Sequence, residues 1–175
     1  MVGHPPHAGI RSSVCSLSFP VHHGPKVIPT SGGKRCLPHL SCVDSTSFRA
    51  WIQREAFQDR AWEYDVQVGR HSTAACERGD PDWEFYRGLL CKRVDALSRD
   101  PLPWIVVEVK SQLTMLGLGP LLTYRHLLVD RWPEARNARL ICVGTRGDPD
   151  LVRTFHDYGV EISVVVPPGS ESATT

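Results

Sequence analysis

The segment Trp104–Lys110 reads WIVVEVK, a nearly continuous apolar run that carries two opposite charges inside it. Runs of this kind form strands in the middle of a sheet, covered on both faces. Residues two apart on a strand project from the same face, so Glu108 and Lys110 emerge side by side. Burying an unpaired charge costs several kcal/mol, so a central strand holds two only if they serve each other or a ligand. The segment therefore reads as a strand in the middle of a sheet, with an opposite-charge pair on one face to be accounted for.

The flanking sequence supplies the other elements. Asp44 or Ser45 is a suitable N-cap, and Ser47 to Trp62 has helical spacing, with Phe48, Trp51, Ile52 and Trp62 on one face. Glu55 and Asp59 fall within that face. Residues 62–68 (WEYDVQV) alternate as a half-buried strand does, 69–82 are polar and loop-like, and 89–97 (LLCKRVDAL) form a second strand. A turn with two prolines, 98–103, precedes the central strand. Gly117 and Gly119 lead into a helix over 120–130, with Pro120 at its first position. A fourth strand spans 138–144, and a helix over 148–158 has Asp148 as N-cap and Gly159 as its stop. A last strand occupies 160–166. The expected class is α/β, in the order αβββαβ with an added helix and strand, and a central mixed sheet flanked by helices.

Asp95 lies thirteen residues before Glu108, across the short proline turn. A hairpin between the two strands would set the two carboxylates side by side, with the Lys110 ammonium two residues on. Two carboxylates with an ammonium beside them suit a hard divalent cation, which takes one or two carboxylates and keeps several waters. Such a cation activates a bound water and offsets charge on a phosphate. A strand-end salt bridge facing solvent is the plain alternative for Glu108 and Lys110.

The motif Asp95…Glu108-Val109-Lys110, after one strand and before a helix, resembles that of the PD-(D/E)XK nuclease superfamily, the restriction-endonuclease-like fold. The likeness spans roughly residues 47–166 and includes the element order. The strings KRVDAL, VVEVK and GPLLTYRHLL resemble small phage and mobile-element members, and also the nuclease domain of mismatch-type endonucleases. The resemblance implies hydrolysis of DNA phosphodiester bonds. Asp95, Glu108 and the Val109 carbonyl would hold Mg²⁺, or Mn²⁺ in its place, and Lys110 would assist the attacking water. It also implies an acid from the first helix, for which Glu55 is the candidate. Family members commonly open the following helix with Gln in a G-Q-L-x-x-Y pattern; here the string is Gly119-Pro120-Leu121-Leu122-Thr123-Tyr124, so the Gln is lost and Tyr124 kept. That departure leaves a second reading, a catalytically weak or inactive nuclease-fold protein that binds DNA or a partner protein.

Charge and composition set the remaining expectations. The net charge is only +1, so bulk charge points to no partner, but residues 1–43 hold four basic residues and no acid. The remaining residues, 44–175, have sixteen basic and nineteen acidic groups. This Pro-, Gly- and His-rich head is expected to be irregular and dispensable for folding, with the nuclease-like domain over 44–167 and a tail over 168–175. It lacks the apolar core of a secretory signal, and no stretch reaches the ~18 apolar residues of a membrane helix. A cytoplasmic location follows as an expectation, with six reduced cysteines. Cys36, His39 and Cys42 read C-x-x-H-x-x-C, three ligands where zinc wants four, so structural Zn²⁺ is not expected there. The partners expected are DNA, a second copy of the chain and a phage or mobile-element protein, and no membrane.

Overall fold

A computed structural model describes residues 36–69 and 92–166. The elements are α1 (Cys42–Arg54), β1 (Glu63–Val68), β2 (Lys92–Ser98), β3 (Ile105–Leu113), α2 (Met115–Arg131), a 3₁₀ turn (Pro133–Asn137), β4 (Arg139–Gly147), α3 (Pro149–Asp157) and β5 (Val160–Val164). The strands form one sheet in the order β1-β2-β3-β4-β5. The pairs β1–β2 and β2–β3 are antiparallel, while β3–β4 and β4–β5 are parallel. This is the mixed α/β topology expected of a restriction-endonuclease-like core.

The sheet buries both faces. On one side α2 and α3 cover Val94, Leu97, Val106, Leu140 and Cys142. Helix α2 presents Gly117, Leu121, Tyr124 and Leu128 as a buried stripe, the spacing of one helical face. On the other side α1 lays Phe48, Trp51 and Ile52 over Ala96, Val107, Val109 and Ile141. Trp62 joins this cluster edge-on to Phe48, with ring centroids 5.3 Å apart.

Several boundaries differ from the sequence expectation. Helix α1 starts at Cys42, because the Ser41 side chain caps it by accepting from the Asp44 N–H. It ends at Arg54, where Glu55 caps it and Ala56 takes a left-handed backbone (φ +56°). Trp62 therefore packs on the helix from outside it. Leu37 and Leu40 are core residues, so the ordered domain reaches back into the segment expected to be irregular. Helix α2 begins at Met115 rather than Pro120, capped by Thr114, and holds Pro120 inside its second turn. A proline at this position forfeits the ladder bond to the Leu116 carbonyl and crowds that carbonyl with its ring, a local cost that the helix carries. The expected loop over 70–82, the start of the second strand and most of the head lie outside the described residues.

Cys36 and Cys42, expected as free thiols, are joined in a disulfide with their Cα atoms 4.8 Å apart. His39 does not turn toward them; it meets Asp65 instead. Cys142 is free and buried. Among the described residues no helix is long and apolar enough to cross a membrane.

Candidate active site

The β2–β3 hairpin brings Asp95 and Glu108 together. The register pairs Ala96 with Val107, and one further step sets Asp95 opposite Glu108. The backbone ladder stops there. In its place the Asp95 side chain takes over, with Oδ2 accepting the Val109 N–H at 2.8 Å. The face pattern also changes at this point: Tyr64 and Ala96 belong to the α1-side core, whereas Val66 and Val94 belong to the other side. Asp65, between the two β1 residues, has a left-handed backbone (φ +55°) that turns the strand.

Glu108 is 3% exposed, which rules out the solvent-facing salt bridge. Its Oε1 lies 2.7 Å from Lys110 Nζ, on the same strand. The Tyr124 hydroxyl of α2 lies beside the same carboxyl. Even so, Glu108 Oε2 is buried and has no well-formed hydrogen bond among the described residues.

Burial raises the Glu108 pKa to about 7, and the neighbouring Asp95 charge pushes the same way. Burial also raises Asp95, against the lowering pull of the Val109 N–H and of Lys110. The two carboxyls are close enough to share a proton. Burial alone would lower Lys110, but the hydrogen bond to Glu108 and the charges of Glu108 and Asp95 outweigh it, and its pKa is raised. Lys110 is therefore a fixed cation, suited to orienting a water or meeting an anion rather than to acting as a base.

Glu55 is not part of this group. It pairs with Arg54 at the end of α1, and its charge acts on Arg139. Arg139 pairs with Ile105, three positions along β4 from Cys142, the partner of Glu108, which is ~10 Å away along the strand. The acid of α1 whose charge reaches Asp95 is Asp44, from the first turn. Its Oδ2 accepts from the Ser41 hydroxyl at 2.7 Å, and its Oδ1 is buried with no partner among the described residues. The sequence showed Asp44 only as a possible cap. The missing signal was Ser41, whose capping role shifts the helix start and places Asp44 in its first turn.

Among the described residues no three His, Cys, Asp or Glu side chains converge on one point. The protein could thus offer a cation two carboxylates, with Glu108 Oε2, buried and without a well-formed hydrogen bond, as the available oxygen. That donor set suits a hard ion that keeps waters or takes phosphate oxygens, and not a closed structural zinc site.

Two glycines shape the surroundings. A Cβ on Gly117 would stand 2.5 Å from Cys142 Sγ, and one on Gly144 would stand 2.6 Å from the Lys110 carbonyl oxygen. Helix α2 approaches Cys142 of β4, and β4 approaches the Lys110 main chain, this closely only because both positions lack side chains.

No protein-family model matches the chain. No curated protein matches it either. Among solved structures it is similar to that of EndoMS in complex with double-stranded DNA, at 16% identity and a TM-score of 0.43, over 77% of this chain. The chain spans about half of that one, 49%. A likeness at that identity and score assigns neither an activity nor a substrate.

Proposed function

We propose that the chain is a metal-dependent nuclease of PD-(D/E)XK type that hydrolyses DNA phosphodiester bonds. The observation that carries the reading is the convergence of Asp95, Glu108 and Lys110 where β2 and β3 part, with one Glu108 oxygen buried and without a partner. A chain gains nothing in stability from such a group without a ligand, since each buried, unsatisfied polar atom costs about 1–3 kcal/mol.

Asp95 and Glu108 would hold Mg²⁺ (or Mn²⁺), with the Val109 carbonyl as a further oxygen donor. The bound ion would supply an activated water and offset the charge that builds on the phosphate. The chain's own residues do the rest. Lys110 keeps Glu108 Oε1 fixed, and its ammonium, on a side chain 40% exposed, would be open to a water or a phosphate oxygen. Tyr124 and the Val109 N–H hold the two carboxyls in place. Asp44 adds negative charge on the α1 side, which strengthens the pull on a cation. DNA is the macromolecular partner in this reading; self-association and a phage or mobile-element partner would follow from the family resemblance.

The test is incubation of the full chain with plasmid and linear DNA in Mg²⁺ or Mn²⁺, beside Glu108→Gln and Lys110→Met. Cleavage by the parent alone supports the reading, and equal residual cutting by all three overturns it. Pro120 at the place of the family's Gln favours a second reading, a nuclease-fold protein that binds DNA without cutting. Salt-sensitive DNA binding with no calorimetric Mg²⁺ or Mn²⁺ binding would select it.

A further inference from the structure

A second group of polar side chains lies on β1, β2 and the loop before α1. Asp65 Oδ2 receives Arg93 Nη1 at 2.5 Å and His39 Nε2 at 2.9 Å. Arg93 Nη1 and His39 Nε2 are themselves 2.8 Å apart. Asp65 Oδ1 is buried with no partner among the described residues. Both His39 (φ +59°) and Asp65 (φ +55°) have left-handed backbones. For residues other than glycine this conformation costs about 1–3 kcal/mol each, and it clusters at ligand-binding positions. The Asp65–Arg93 pair is half-buried, and holding two such backbones in contact through one carboxylate oxygen points to a role for the group besides the ion pair itself.

We infer that His39, Asp65 and Arg93 form a phosphate-binding subsite that holds a nucleic-acid strand one phosphodiester away from the Asp95–Glu108 pair. The inference rests on the nuclease reading for its substrate. Arg93 is two residues from Asp95 along β2, ~7 Å away. Asp65 engages Nη1 and leaves Nε and Nη2 without partners among the described residues. A guanidinium whose Nη1 is held by Asp65, and whose Nε and Nη2 have no partner among the described residues, suits two phosphate oxygens. The His39 side chain is 54% exposed and stands beside that fork. Asp44, Asp95 and Glu108 would repel a polyanion, so cationic contacts at this edge are what would let a strand approach the acids. Asp65 is a positioning residue that fixes both donors through a single oxygen.

The experiment uses the full chain in a Glu108→Gln background and measures oligonucleotide binding by fluorescence anisotropy across a salt series. Arg93→Met is expected to weaken binding about tenfold and to lower the log–log salt slope by about one. Arg93→Lys should restore the slope but not the full affinity, and His39→Gln should weaken binding with a smaller change in slope. In the cleaving parent, Arg93→Met should raise KM more than it lowers kcat. A second measurement follows the His39 ring resonances during titration with inorganic phosphate, with a shift expected in the parent and lost in Arg93→Met. If Arg93→Met and His39→Gln bind DNA like the parent with the same slope, the subsite is overturned while any cleavage by the parent still stands. If the chain neither binds nor cuts DNA but His39 responds to phosphate, the nuclease reading falls and the anion site holds. If His39 shows no response and no DNA binds, the subsite is overturned as well.

Discussion

The carboxylate of Asp95 accepts the main-chain N–H of Val109 at 2.8 Å, so a side chain of β2 does what its backbone does in the rest of the hairpin. The acid thereby has a structural duty and a chemical one, and two substitutions separate them. Asp95→Asn retains an acceptor for Val109 and removes a buried charge. It should fold with a thermal midpoint at or above that of the parent at pH 8, and lose at least a hundredfold in cleavage rate. Asp95→Ala should lose the same activity and also about 1–3 kcal/mol of stability, read from urea unfolding, because the Val109 N–H is left unpaired.

Glu108 sets a pH dependence of stability. Its pKa is about 7 in the folded chain against an ordinary 4.5 when unfolded, a rise caused first by burial and then by the charge of Asp95. Between those values the folded state holds more protons than the unfolded one, so stability falls as pH rises. The contribution is full below pH ~4.5 and gone above pH ~7, at about 1.4 kcal/mol per pH unit at the steepest. Urea midpoints in EDTA should be lower at pH 8 than at pH 5.5, and Glu108→Gln should flatten the difference.

Divalent ions should reverse that loss. A ligand that binds only the folded state stabilises it by mass action, and a cation binds the ionised carboxyls. Millimolar Mg²⁺ or Mn²⁺ should raise the thermal midpoint of the parent at pH 8, have little effect at pH 5, and leave Glu108→Gln unchanged at both. An equal shift in parent and variant would place the ion elsewhere.

Close approach at α2 can be tested by rescue. Gly117→Ala puts a methyl 2.5 Å from Cys142 Sγ but 4.0 Å from Cys142 Cβ. Alone it should destabilise the chain by about 1–3 kcal/mol through overpacking. In a Cys142→Ala background its cost should largely disappear, a coupling that a double-mutant cycle reads directly.

Truncation distinguishes the two ends of the basic head. Removal of residues 1–43 deletes Leu37 and Leu40 from the core, the Ser41 cap and the Cys36–Cys42 bond. This variant should unfold or melt far below the parent. Removal of residues 1–35 keeps all of these and should melt well above the 1–43 deletion, by circular dichroism.

The succession of strands along the chain and the acid pair were legible because they rest on two-residue periodicity and a short hairpin. Asp95, Glu108 and Lys110 could be aligned from VDAL and VVEVK alone. The first helix was less legible. Phe48, Trp51, Ile52 and Trp62 satisfy helical spacing whether or not Trp62 is in the helix, and the apolar face gave no sign of the left-handed stop at Ala56. Misplacing the start by a turn then selected Glu55 over Asp44. The His39–Asp65–Arg93 group left no sequence signal, since its members come from a loop and two strands and meet through backbone conformations unusual for their residue types.

Gly117 and Gly144 carry a final consequence. The space in which the Glu108–Lys110 segment sits is bounded by two positions whose contribution is the atoms they do not have. A mutational scan scored on charge or on reactive groups would pass over both, yet any side chain at Gly144 meets main-chain oxygen, which has no rotamer to give way. The chemistry offered by two acids and a lysine is therefore only as durable as two vacancies in the covalent structure. A relative that kept Asp95, Glu108 and Lys110 but filled either one would need a different backbone around them.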